Sequence, residues 1–201
     1  MNARQQRVVL VGGGHSHVEV LRRFALQRDS MVALTLVSPD SATAYSGMLP
    51  GLVAGHYTRE QTHIALAPLA AWAGARFVTD RVVGVDLGAR IATLASGENV
   101  AFDLLSINVG SAPDTSVPGA RDYTIPVKPV TAFLAQWARM QAQAAEGTLR
   151  GIAVVGGGAG GVELALAIQH RFGEALGSAA PRVALVTDSS SILPHLSLIH
   201  I

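Results

Sequence analysis

An internal repeat constrains this chain more than any other feature. Val8-Val9-Leu10-Val11-Gly12-Gly13-Gly14 recurs as Ile152-Ala153-Val154-Val155-Gly156-Gly157-Gly158, and Val18-Glu19-Val20-Leu21 recurs at the same offset as Val162-Glu163-Leu164-Ala165. Each copy continues with apolar residues at helical spacing and then a second apolar run, Leu34-Thr35-Leu36-Val37-Ser38 in the first and Val183-Ala184-Leu185-Val186-Thr187 in the second. An apolar run, a glycine turn, a helix and another apolar run make a βαβ unit, whose crossover helix forces the two strands parallel. Two such units predict an α/β chain of doubly wound, Rossmann-like architecture.

The 201 residues are 49% apolar and 14% charged, which suits one large or two small domains and excludes disorder. Between the repeats, residues 82–85, 91–94 and 104–109 read as strands separated by glycine and asparagine turns. Pro113, Pro118, Pro126 and Pro129 then interrupt regular structure. The domain boundary is therefore set at 1–125 and 126–201, with an Ala-rich helix over 131–146 opening the second domain. The chain stops soon after the second unit's second strand, so we expect it to be a fragment, incomplete at its C-terminus. Residues 196–201 follow no strand or helix pattern and read as the translation of a sequencing adapter.

A net charge of +1 with scattered basic residues argues against a nucleic-acid surface. The chain contains no cysteine, which removes disulfides, thiolate metal sites and electron storage in a protein dithiol. No signal peptide precedes Val8, and no apolar stretch reaches the roughly 18 residues of a membrane span. A cytoplasmic protein is expected, with peripheral contact at the inner face of a membrane left open.

Gly156-x-Gly158-x-x-Gly161 is the dinucleotide fingerprint in its expected place, after a strand and opening a helix. The first glycine permits a tight turn, the second lets backbone approach a pyrophosphate, and the third lets helix and strand pack closely. The helix N-terminus then offers N–H donors to the phosphates. Ala159 and Gly160 lie within that turn and Glu163 just behind it. The first copy departs from the pattern, reading Gly12-Gly13-Gly14-His15-Ser16-His17, with His17 where the third glycine belongs. Either the first helix stands further from its sheet, or His17 projects toward the phosphates with His15 and Ser16. No carboxylate or cysteine accompanies these histidines, so no metal site is expected. A ribose-binding acid belongs at the end of each unit's second strand. Ser38 and Asp40 are the candidates in the first unit and Asp188 in the second, unless these acids are ordinary loop residues. Asp188, with no arginine after it, leans toward NADH over NADPH.

Two such units in one chain resemble the two-domain pyridine nucleotide-disulfide oxidoreductase-like flavoproteins, in particular those related to type II NADH dehydrogenases. Asp103-Leu104-Leu105-Ser106-Ile107-Asn108-Val109-Gly110-Ser111-Ala112-Pro113, with Val117-Pro118-Gly119, is similar to the segment that returns to the FAD site in that family. Val11 to Val18, Tyr45 to Gly51 and Pro126-Val127-Lys128-Pro129 resemble the flavoprotein module found fused to selenide, water dikinase. The resemblance implies a three-layer FAD/NAD(P)-binding fold, with FAD on residues 1–125 and NAD(P)H on 126–201. It brings Val82, Gly110 and Ser111 to the FAD site, and a selenide, water dikinase domain as partner. It also implies hydride transfer from NAD(P)H to flavin and on to a small non-thiol acceptor such as a quinone. The alternative is a non-catalytic redox-sensing or accessory module. Residues 45–55 are expected as a loop near the flavin ring, with Met48, Leu49 and Pro50 walling it and Tyr45 and His56 as polar groups. Pro50 and Lys128 are the catalytic candidates, Lys128 either approaching the flavin or lying in the interdomain linker.

Overall fold

The computed structural model describes residues 4–193, so residues 196–201 lie outside the described residues. The first repeat forms β1 (Gln6–Val11), α1 (His15–Leu26) and β2 (Val32–Ser38). After it come β3 (Ala42–Ala44), a 3-10 turn at Ser46–Met48, α2 (Leu49–Ala54), α3 (Arg59–Thr62), β4 (His63–Ala65), α4 (Leu66–Ala73) and β5 (Arg76–Thr79). Three antiparallel strands follow, β6 (Val82–Asp86), β7 (Ile91–Leu94) and β8 (Asn99–Ala101), and then β9 (Leu104–Ile107). The second repeat is introduced by α5 (Ala120–Tyr123) and α6 (Val130–Ala145) and forms β10 (Gly151–Val155), α7 (Ala159–Leu176) and β11 (Arg182–Val186).

Both repeats are parallel βαβ units, as their sequences predict: β1 pairs with β2 from Gln6↔Val32 to Val11↔Val37, and β10 with β11 from Gly151↔Arg182 to Val155↔Val186. The chain divides into two compact units, Met1–Thr43 with His63–Ser111, and Ala44–Thr62 with Ala112–Ile201.

In the first unit the parallel sheet runs β5-β2-β1-β9. Successive side chains on a strand point to opposite faces, so β1 supplies two cores. Leu10, with Leu34 and Leu36 of β2, packs against Leu21 of α1 and Leu66, Ala70 and Ala73 of α4. Val9 and Val11, with Val37, face Ala92, Leu94 and Val100 of the antiparallel sheet and Phe102 just after it. The result is three layers: helices, parallel sheet, antiparallel sheet. A strand buried on both faces needs no polar alternation, which is why Val8 to Val11 of β1 is an unbroken apolar run and β2 is apolar but for Thr35 and its final Ser38.

The second unit has one core. Val154 of β10 and Leu164, Ala167, Ile168 and Phe172 of α7 pack with Phe133, Trp137 and Ala144 of α6 and with Leu49, Val53 and Ala54 of α2. The Trp137 and Phe172 rings lie 5.2 Å apart at 57°, a tilted aromatic pair.

The structure corrects the sequence reading in several places, and β3, β4 and β8 are strands that the reading did not name. Residues 45–55 are not a loop: Pro50 occupies the first turn of α2, where its missing N–H costs nothing, and Gly55 ends the helix in a left-handed conformation at φ +88°. β9 stops at Ile107, two residues early, and β11 at Val186, one residue early. β5 is an additional strand, half-buried at Phe77 and Val78, that pairs parallel with the end of β2.

Candidate functional site

The two glycine turns leave the C-terminal ends of β1 and β10, where ligands bind in open parallel sheets. In the first, the Gly12 amide donates to the Val37 carbonyl at 2.8 Å and the Asn108 amide to the Val11 carbonyl at 2.8 Å, so the turn hangs between β2 and β9. Gly12 sits at φ +91°, and a Cβ there would come within 2.5 Å of the Asn108 carbonyl oxygen. The Asn108 side chain covers Gly14, whose amide donates to the Asn108 backbone carbonyl at 3.1 Å. The Oδ1 of Asn108 is buried and has no hydrogen-bond partner. In the second turn, the Gly156 amide donates to the Val186 carbonyl at 2.8 Å, and a Cβ on Gly161 would collide with the Gly156 carbonyl oxygen.

Helix starts are usually capped by a Ser, Thr, Asp or Asn side chain and enriched in acids, because the first N–H groups lack intrahelical partners. Here both helices are N-capped by glycine, Gly14 for α1 and Gly158 for α7, with no side-chain cap and no acid in the first turn. Glu19 and Glu163 stand beyond that turn. Glu19 is engaged by Arg22 and Arg23, whose guanidinium groups each donate at 2.7 Å and hold its pKa down to about 2. Both helix N-termini therefore keep uncapped N–H donors with no acid beside them, which favours an anion such as a pyrophosphate; the start of α7 is sterically open at Gly158 and Gly160, whereas Gly14 at the start of α1 lies under the Asn108 side chain.

The remaining candidates fall around these turns. Ser38, buried at the end of β2, offers its Oγ to the Asp40 amide at 3.4 Å, while Asp40 itself is exposed. Gly110 and Ser111 follow β9 and are exposed, as is Ser16. Val82 begins β6, opposite Leu94, and packs on the core shared with β1. In the second unit, Ala159 and Gly160 form the exposed start of α7, and Asp188 lies exposed just past β11, accepting from the Ser189 hydroxyl at 3.2 Å. Thr187 Oγ1 approaches Gly157 so closely that a Cβ there would sit 2.6 Å from it. Pro50 lies half-buried in α2, and Lys128 half-buried in the segment before α6. The His56 ring meets that of His170 of α7 in a tilted pair, with centroids 5.0 Å apart and planes at 46°.

His17 is 2% exposed. Its Nδ1 lies 2.7 Å from the Gly12 carbonyl and its Nε2 2.9 Å from Ser106 Oγ, so both ring nitrogens are engaged within the protein. Burial pushes its pKa below the usual histidine range. Sequence reasoning missed Asn108 and Ser106. Both lie in the Asp103 to Pro113 segment that the sequence reading took as a whole without giving either of them a role. Among the described residues, no group of three His, Asp or Glu side chains is placed to hold a metal. A cavity of about 260 Å³ lined by Phe24, Arg28, Val32 and Gly74 opens at the opposite end of β2 and carries none of the fingerprint residues.

A family model described as pyridine nucleotide-disulphide oxidoreductase matches residues 6–198. The chain belongs to that family. No curated protein matches it. Among solved structures it is similar to NDH2 from Plasmodium falciparum in complex with RYL-552, with TM-score 0.78 and 19% identity over 98% of this chain and 44% of that one. The sulfide:quinone oxidoreductase from Aquifex aeolicus gives 0.70 and 22%, over 90% of this chain and 43% of that one. The Bacillus anthracis CoADR-RHD gives 0.74 and 20%, over 96% and 34%. At these identities the likeness establishes the fold, and the chain spans less than half the length of each.

Proposed function

We propose that the full-length protein is an FAD-dependent oxidoreductase that draws a hydride from NAD(P)H and delivers the electron pair to a non-thiol acceptor such as a quinone. The observation that carries this reading is the pair of glycine-capped, acid-free helix N-termini at the ends of parallel strands, in a member of this family. FAD on residues 1–125 supplies the hydride-accepting ring and NAD(P)H on 126–201 the hydride.

The chain's own residues supply binding and orientation. In the first unit Gly12, Gly13, Gly14, His15 and Ser16 form the turn that meets the FAD pyrophosphate, and Ser38 and Asp40 face the ribose. Val82, Gly110 and Ser111 border the same cofactor. In the second unit Gly156, Gly158, Ala159, Gly160 and Gly161 receive the NAD(P)H pyrophosphate, with Glu163 behind them and Asp188 at the ribose. Pro50 and Lys128 are the candidates for a catalytic part, Lys128 either approaching the flavin or lying in the interdomain linker. The absence of cysteine from these 201 residues supports direct transfer to a small acceptor over relay through a dithiol. A quinone is supported by the sulfide:quinone oxidoreductase among the similar structures. No helix among the described residues is long and apolar enough to cross a membrane.

The resemblance of Val11 to Val18 and Tyr45 to Gly51 to the module fused to selenide, water dikinase supports a second reading, a non-catalytic accessory module. One experiment separates the two: the visible spectrum of the full-length protein, loaded with FAD and desalted, before and after anaerobic NADH or NADPH. Bleaching of the bound flavin is expected. Flavin that stays bound yet is never reduced overturns the oxidoreductase reading in favour of the accessory module.

A further inference from the structure

The two turns of this one chain solve the same packing problem differently. In the second, Gly161 packs directly against the carbonyl oxygen of Gly156, and no side chain fits there. The equivalent oxygen in the first turn belongs to Gly12, and the residue at the equivalent helix position is His17. A carbonyl can only accept, so the 2.7 Å contact makes His17 Nδ1 the proton-bearing nitrogen. Nε2 is then a lone-pair acceptor, and the Ser106 hydroxyl, 2.9 Å away, donates to it. The first turn of α1 is tightened as well. The amides of His17 and Val18 both donate to Gly14, at 3.0 and 3.1 Å, and Val162 makes the matching bond to Gly158 at 3.0 Å.

We propose that His17 is a positioning residue for the dinucleotide turn of the first unit, its imidazole forming a strut from the Gly12 carbonyl to Ser106 in place of third-glycine packing. This rests on the reading that the first unit holds FAD. The strut ties the turn to β9, and β9 continues into Asn108, Gly110 and Ser111. Asn108 in turn closes over Gly12 and Gly14. Loosening the strut therefore disturbs two sides of the same cofactor site at once, whereas the second turn contains no counterpart of it. A glycine at position 17 restores the fingerprint but leaves the Gly12 carbonyl, buried at the turn, without its donor, and such a group is costly to leave unmatched.

The test measures FAD and NADH dissociation constants of the full-length protein and its variants by fluorescence titration. His17→Gly and His17→Ala are expected to weaken FAD by about tenfold or more and to leave NADH unchanged. His17→Asn, which can place an amide N–H where Nδ1 stands, is expected to recover FAD binding to within about threefold of the parent. Ser106→Ala, which removes one hydroxyl, is expected to weaken FAD about threefold and serves if the larger substitutions fail to fold. FAD affinity unchanged in His17→Gly overturns the proposal, as does an equal loss in His17→Asn and His17→Ala, or unchanged FAD affinity in Ser106→Ala. A parent protein that binds no FAD overturns the flavin reading itself and with it this inference.

Discussion

Asp103 shows how one side chain anchors the frame that carries the first turn. Its carboxylate accepts from the Arg7 amide at 2.9 Å, from Arg7 Nε at 3.1 Å and from Arg7 Nη2 at 2.9 Å, with Arg4 Nη2 at 3.3 Å, tying the start of β1 to the start of β9. These donors, Arg7 foremost, hold the Asp103 carboxyl well below the usual carboxylate range. A depressed acid contributes stability at pH values above its unfolded pKa, about 3.9, and loses that contribution as pH falls through its lower folded value. Asp103→Asn is therefore expected to melt below the parent at pH 7, with the gap closing as the melts are repeated from pH 4 downward. A gap that stays constant to pH 2 would show that the carboxylate's charge is not what matters. At this scale the sequence displayed the residues without their partners. His17 was conspicuous because it breaks a glycine pattern, yet its partner Ser106 lies 89 positions away. No local rule connects the two. Asn108 was obscured for the same reason, its role arising only where β9 meets the turn.

At the scale of elements, periodicity served well where a strand or helix was long and regularly apolar, and failed where chemistry looked like a loop. β1, β2, β10 and β11 follow directly from short apolar runs, and α1 and α7 from apolar residues at helical spacing after a glycine turn. α2 did not, because Ser46-Gly47-Met48-Leu49-Pro50-Gly51 carries turn residues throughout. What makes it a helix is burial: Leu49, Val53 and Ala54 fall on one face and enter the core beneath α7. The glycine turn before α7 gives the prediction proper to this scale. Gly161→Ala drives a Cβ into the backbone oxygen of Gly156, an atom that cannot swing aside as a flexible side chain would. α7 must then shift away from β10 and carry its N-terminal donors with it. NADH binding is expected to weaken about tenfold or more, with FAD binding retained. Isothermal titration of each nucleotide measures both, and undiminished NADH binding in Gly161→Ala would show that this helix start does not meet the cofactor.

For the whole molecule, the buried apolar residues fall into separate clusters, each confined to one compact unit. Leu36 belongs wholly to the first unit, fully enclosed with Leu10, Leu21 and Leu66, and Phe172 wholly to the second, 2% exposed between Trp137 and Ile168. Truncating a buried leucine to alanine costs about 2–5 kcal/mol and a buried phenylalanine about 3–5 kcal/mol, largely through the cavity left behind. Because free energies of local opening differ between cooperative units, such a loss is felt first where the cavity lies. Hydrogen exchange on the full-length protein distinguishes the cases. Phe172→Ala is expected to speed exchange in α6, β10 and α7 while β1 and β2 keep their protection, and Leu36→Ala to do the reverse. Exchange that quickens equally throughout for both variants would mean that the clusters unfold as one, and that the repeat visible in the sequence is not a boundary of stability.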